Sequence, residues 1–218
     1  MAKHGGYAAI ALAAATALVV PSHAAPSAVL SSNQGDVDRL RLMTPSAFQA
    51  RTTLSDDALD RVATLTSTNG FVEHRSFGGH APDDVFLRAF IDKTTGQVSY
   101  QVYASIRYRA YSWVRWDSAT YEAPGGPLSA RVDRIARLRT VCRRGWICPR
   151  SETIGLRIAG SVLRQQAERY IPGVMTPWQF KVTARAGGER ILMLSTAEIA
   201  GMLMAVDAYR VGHHLPQP

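Results

Sequence analysis

Lysine is nearly missing from this 218-residue chain, with three lysines against twenty-two arginines. Past residue 24 only Lys93 and Lys181 remain, which leaves little room for chemistry built on a lysine nucleophile. Cysteine is equally scarce: Cys142 and Cys148 are the only two. A disulfide-dense scaffold is therefore excluded, and a zinc site lacks a second Cys or His pair at finger-like spacing. No Gly-x-Ser-x-Gly elbow, Ser-x-x-Lys, His-Glu-x-x-His or Walker-type loop occurs, so the enzyme classes marked by those motifs are not indicated. No cofactor is implied, and no repeat of solenoid period is present. After the first twenty residues no apolar run approaches the ~20 residues of a membrane span.

The one long apolar run lies at the start. Lys3 precedes an almost unbroken apolar stretch from Tyr7 to Val20, followed by Pro21, Ser22, His23 and Ala24. This reads as a signal peptide over residues 1–24, cleaved after Ala24, with an uncleaved anchor as the competing reading. The expected location is periplasmic or secreted, with no transmembrane segment after cleavage. Such a compartment is oxidising, so Cys142 and Cys148 are expected to form a structural disulfide. A redox motif would separate them by two residues rather than five.

Residues 25–54 read as an irregular segment, 55–212 as one globular domain and 213–218, with His213-His214, as a mobile tail. Ser55-Asp56-Asp57 resembles a helix start rather than an acid–base pair. Phe71–Phe77 is a candidate edge strand. The strongest pattern begins at Val85. Val85, Leu87, Ala89 and Ile91 alternate with more polar neighbours, and after Lys93-Thr94-Thr95-Gly96 the alternation resumes from Val98 to Ala110. Opposing Ile91 to Val98 and Val85 to Ala104 makes both apolar faces coincide; a one-residue slip would bury glutamine and arginine. An unbroken strand from Val98 to Trp116 would exceed roughly sixty ångströms at ~3.3 Å per residue, so a bend or bulge is expected near Ala110–Ser112.

Two more hairpins follow. Pairing Cys142 with Cys148 places Leu138 and Ala136 on one face with Ile154, Leu156 and Ile158, and Arg137 and Arg139 on the other with Ser151 and Thr153. Arg134 breaks that pattern, so a bulge or the strand end is expected there. The disulfide would close a short loop worth about 3 kcal/mol or less. Trp178–Ala184 and Ile191–Leu194 flank Ala186-Gly187-Gly188-Glu189 as the third hairpin. Ser161–Tyr170 and Thr196–Tyr209 read as helices, the second with capping-box spacing from Ser195 to Glu198. The expected fold is α+β: an antiparallel sheet built from three hairpins, with two helices in the C-terminal half.

Charge is concentrated. Without Lys3 the chain carries 24 bases against 17 acids, a net of +7. Residues 97–150 hold ten arginines against Asp117, Glu122 and Asp133, which accounts for the whole excess. Arg107, Arg109, Tyr111, Trp113 and Arg115 would share one face of an unbroken strand, and Arg144 and Trp146 flank the turn beside the cysteines. Arginine next to exposed aromatics suits anions and planar groups. The competing reading is a solvated face whose arginines discourage edge-to-edge pairing. Export argues against nucleic acid as the ligand and toward an anionic envelope polymer, an anionic lipid surface or an acidic protein.

His74, His80, Asp83 and Asp84 around Gly78-Gly79 form the only cluster that suggests catalysis or metal binding, at a spacing that matches no motif. The leading expectation is a non-catalytic binding or interaction module working through its basic, aromatic sheet face. The alternative is a metal- or His-dependent hydrolase. A third possibility is an interaction surface on the open sheet face bearing Phe86, Phe90 and Tyr103.

Overall fold

The computed structural model describes residues 34–68, 70, 84–139 and 147–216. The expected signal peptide, the Phe71–Phe77 strand and the residues His74, His80, Asp83, Cys142, Arg144 and Trp146 lie outside the described residues.

The chain is mixed α+β, and all its strand pairs are antiparallel. Among the described residues ten strands form two sheets. The first contains β1 (Thr53–Ser55), β2 (Val62–Thr66), β3 (Asp84–Asp92), β4 (Val98–Ala110), β8 (Cys148–Ile158) and β7 (Asp133–Arg139), in that spatial order. The second runs β10 (Glu189–Ser195), β9 (Pro177–Ala184), β5 (Trp116–Ala123) and β6 (Gly126–Arg131). The three expected hairpins are present as β3–β4, β7–β8 and β9–β10, but they divide between two sheets. A fourth, β5–β6, turns through Gly125 and Gly126 at φ +87° and +123°, where a Cβ would be strained.

The β3–β4 register has the alignment that the alternation dictates, with Ile91 opposite Val98 and Val85 opposite Ala104. β4 stops at Ala110, in the expected bend region. Arg115 at φ +62° then redirects the chain into the second sheet. The chain returns at Val132, whose N–H donates to the Asp117 carbonyl at 3.1 Å, so that β6 ends one sheet and β7 begins the edge of the other.

Helices α3 (Gly160–Glu168) and α4 (Thr196–Gly212) occupy the two expected places. The inner faces of both sheets share one core with them, centred on Leu87, Ile91, Ile106, Leu156, Trp178, Leu194, Ile199 and Met202. Trp178 is fully buried, and its indole N–H is satisfied by the Glu122 carbonyl at 3.2 Å.

The segment expected to be irregular also holds structure: α1 (Gln34–Arg41) and α2 (Pro45–Ala50). The Thr44 side chain caps α2, Pro45 opens it, and Phe48 is fully buried against α4. A Cβ on Gly201 would stand 2.5 Å from Phe48 Cβ and 2.6 Å from the Pro45 carbonyl oxygen, so α2 and α4 touch nearly backbone to backbone.

Asp56 and Asp57 do not start a helix. The Asp57 carboxylate accepts the Leu59 N–H at 2.8 Å in a turn, while Asp56 accepts Lys93 Nζ at 2.9 Å and the Tyr209 hydroxyl at 2.8 Å. These partners tie the β1–β2 loop to the β3–β4 turn and to α4. The expected tail is docked as far as Pro216. His213 stacks on Tyr209 at 4.1 Å, the Leu215 N–H bonds the Arg210 carbonyl at 2.9 Å, and Pro216 lies over Gly96.

The candidate functional site at the basic end of the sheet

β4, β8 and β7 lie side by side, and their ends near Ala110, Cys148 and Arg139 carry the arginines. Arg107 and Arg109 occupy the outward parity of β4 and are exposed. Tyr111, at the bend, is 71% exposed, and Arg115 is exposed too. Trp113 departs from the expected row. The chain leaves the strand at Tyr111, so parity no longer governs, and Trp113 turns half-buried between two guanidinium groups. Arg137 lies 5.0 Å and Arg150 4.7 Å from its ring centre. The single-face row therefore reduces to Arg107 and Arg109, followed by separately placed Tyr111 and Arg115.

The β7–β8 register differs by one residue from the one drawn through the cysteines. Ala136 faces Thr153, Arg137 faces Glu152 and Leu138 faces Ser151, with a bulge, one of the two expected irregularities, between Arg134 and Ala136. A one-residue slip exchanges faces. Arg137 consequently lies on the inner side, and Leu138 is 70% exposed. Glu152 supplies the physical reason. It shares the parity of Ile154, Leu156 and Ile158, has a side chain only 1% exposed, and requires a cation opposite it. Arg137 Nε and Nη2 both donate to its Oε2, at 3.0 and 2.9 Å. Its Oε1 accepts the Tyr108 hydroxyl and the Arg115 N–H, the latter at 3.0 Å.

Burial alone would raise the Glu152 carboxyl. The Tyr108 hydroxyl, the Arg115 amide and Arg137 outweigh it and hold the group below its usual range. Burial and the adjacent carboxylate push the Tyr108 phenol up to about 12, so it remains a donor, while its oxygen accepts the Val114 N–H at 3.0 Å. Arg150, 7% exposed, donates to the Ala110 and Tyr111 carbonyls and secures the bend. Tyr108, Arg137, Arg150 and Glu152 were not singled out from the sequence. The available signal was the pair of opposite charges at the apolar parity of β8.

The remaining carboxylates of this region are also engaged. Asp117 pairs with Arg185 at 3.7 Å, Glu122 with Arg169 at 2.9 Å and Asp133 with Arg157 at 3.5 Å. Arg109, Arg131, Arg134 and Arg139 are exposed, and none is in an ion pair among the described residues.

Cys148 is disulfide-bonded and stands opposite Ala110, so the bond falls at this same end of the sheet. Of the histidine–aspartate cluster only Asp84 is described. It opens β3 opposite Ser105 and is half-buried. Among the described residues no group of His, Cys, Asp and Glu could hold a metal ion, and no helix is long and apolar enough to cross a membrane. On the outer face Tyr103 is 6% exposed, stacked on Phe86 at 5.2 Å with Arg88 over its ring at 4.6 Å. That aromatic group is thus largely covered by its own neighbours.

Comparison with models of known protein families, with curated proteins and with solved structures returns no match. The functional reading therefore rests on geometry and charge.

Proposed function

We propose that this is an exported, non-catalytic binding module that holds an anionic envelope polymer on the basic surface spread over β4, β6 and β7. The observation carrying the reading is the charge balance there. Every carboxylate between Gln97 and Glu152 is in an ion pair, while Arg109, Arg131, Arg134 and Arg139 remain exposed outside those pairs. These four are distributed over β4, β6 and β7 rather than converging on one point. A dispersed array suits an extended polyanion better than a single small anion. The ion pair beneath Trp113 is the support for this surface, since it fixes the bend from which Tyr111 and Arg115 project.

The test replaces Arg109, Arg131, Arg134 and Arg139 with Ser and compares retention on a heparin resin over a salt gradient. Wild type should be retained and released as salt shortens the Debye length from about 10 Å at 0.1 M, and the variant should elute early. Equal, salt-insensitive elution of the two proteins would overturn the reading. Retention on anionic vesicles but not on heparin would reassign the surface to lipid.

A further inference from the structure

A cleft of about 580 Å³ opens at the other end of β4, between the β3–β4 turn, α3, α4 and the docked tail. Tyr100 in its wall and Arg109 on the basic surface are nine residues apart along β4, roughly 30 Å of extended chain. Its lining includes Gly96, Tyr100, Arg164, Asp207, Arg210 and Pro216.

Three features of this cleft bear on what it could hold. Arg210 is 3% exposed and has no carboxylate partner among the described residues. Its Nε makes no hydrogen bond, and its Nη2 donates only to the Pro216 carbonyl. Arginine is rarely buried without a counter-charge. Second, α3 begins at Gly160, in the cleft wall, with no side-chain cap. The positive end of its dipole thus lies in the same wall as Arg164 and Arg210. Third, the exposed Asp207 lines the cleft, and among the described residues it forms no ion pair with either arginine and the Tyr100 hydroxyl has no hydrogen-bond partner.

We infer that this cleft binds a short peptide with both termini free, its carboxylate received by Arg164, Arg210 and the α3 N-terminus and its ammonium by Asp207. The two signs of charge in one wall decide the ligand class. A multiply charged anion would meet Asp207, whereas a zwitterion satisfies every group. The volume lies in the range of pockets that enclose small organic ligands. The Pro216 carbonyl supplies the acceptor for Arg210 that a bound peptide would otherwise provide, so the tail and the ligand compete for the same guanidinium.

Tri-alanine, N-acetyl-tri-alanine and tri-alanine amide are titrated into the full chain by calorimetry and by amide NMR of Gly96 and Gly160. Tri-alanine is expected to bind saturably and to shift both glycine resonances. Amidation or Arg164→Ala should weaken it about tenfold or more, the loss of one charge-assisted contact. Asp207→Asn should remove the preference for the free amine over its acetylated form. Arg164 and Asp207 are exposed, so neither substitution endangers folding as Arg210→Ala would. Equal binding of the capped peptides, binding that survives Arg164→Ala, or no saturable binding of tri-alanine would each overturn the inference. None of these results bears on heparin retention by the opposite end of the sheet.

Discussion

Among the described residues two glutamates are buried, and their surroundings drive them in opposite directions. Glu152 faces a guanidinium and two further donors, and its carboxyl lies below the usual range. Glu198, fully buried on α4, does not complete the capping box that its spacing suggests. It accepts the Ser67 hydroxyl at 2.5 Å and the Gly70 N–H at 3.0 Å. Burial dominates there, and Arg39, the nearby cation, is too weak a counterweight, so the group is pushed up to about 8. Burial by itself therefore fixes neither charge state nor contribution to stability; the charge of the partner does.

Cutting the ion pair gives the largest expected effect. Arg137→Ala leaves a buried carboxylate without its cation and should cost about 3–5 kcal/mol in chemical denaturation. Replacing Arg137 and Glu152 together by Met should restore most of that loss, because no uncompensated charge remains. A double variant as unstable as the single one would show that the pair stabilises through geometry rather than charge balance.

The second comparison is in pH. Glu198 is raised in the native state, so between its ordinary 4.5 and about 8 the folded protein keeps a proton that the unfolded chain has lost. Its contribution to stability should fall across that window by an amount of order a few kcal/mol, then level off. Glu152 has the opposite sign: its contribution is present above the ordinary value and is lost as pH falls through the lowered one. Thermal melts of wild type and Glu198→Gln from pH 5 to 9 should diverge as pH rises, with the variant the flatter of the two. Parallel curves would place the titration elsewhere.

The smallest effect is expected from Tyr108→Phe. It removes a donor to Glu152 and an acceptor for the Val114 N–H, and should cost about 1–2 kcal/mol by denaturation. A neutral result would mean that water replaces the hydroxyl at the bend.

These buried charges also mark where the sequence was legible. The β3–β4 hairpin was readable to the residue because apolar and polar residues alternate through both strands and only one register brings the two apolar faces together. β7–β8 was not, since the bulge beside Ile135 changes parity midway, and the arginine that pairs with Glu152 has the same composition cue as its exposed neighbours. α2 carried a cap and a leading proline, but six residues with a single buried side chain give no helical period. For the candidate site, Arg107, Arg109 and Tyr111 were found by charge and parity. Trp113 was misplaced because parity was extended past a bend the same sequence had already required.

The passage of the chain through Val132 has a mechanical consequence. β6 and β7 are the terminal strands of different sheets, yet they are consecutive stretches of one backbone, and Tyr111–Arg115 makes a second crossing nearby. The two layers are sewn together along this flank, so they cannot part there like the covers of a book without first stripping strands from both. Any breathing of the interior must start on the opposite flank, where helices rather than continuous strand close the gap.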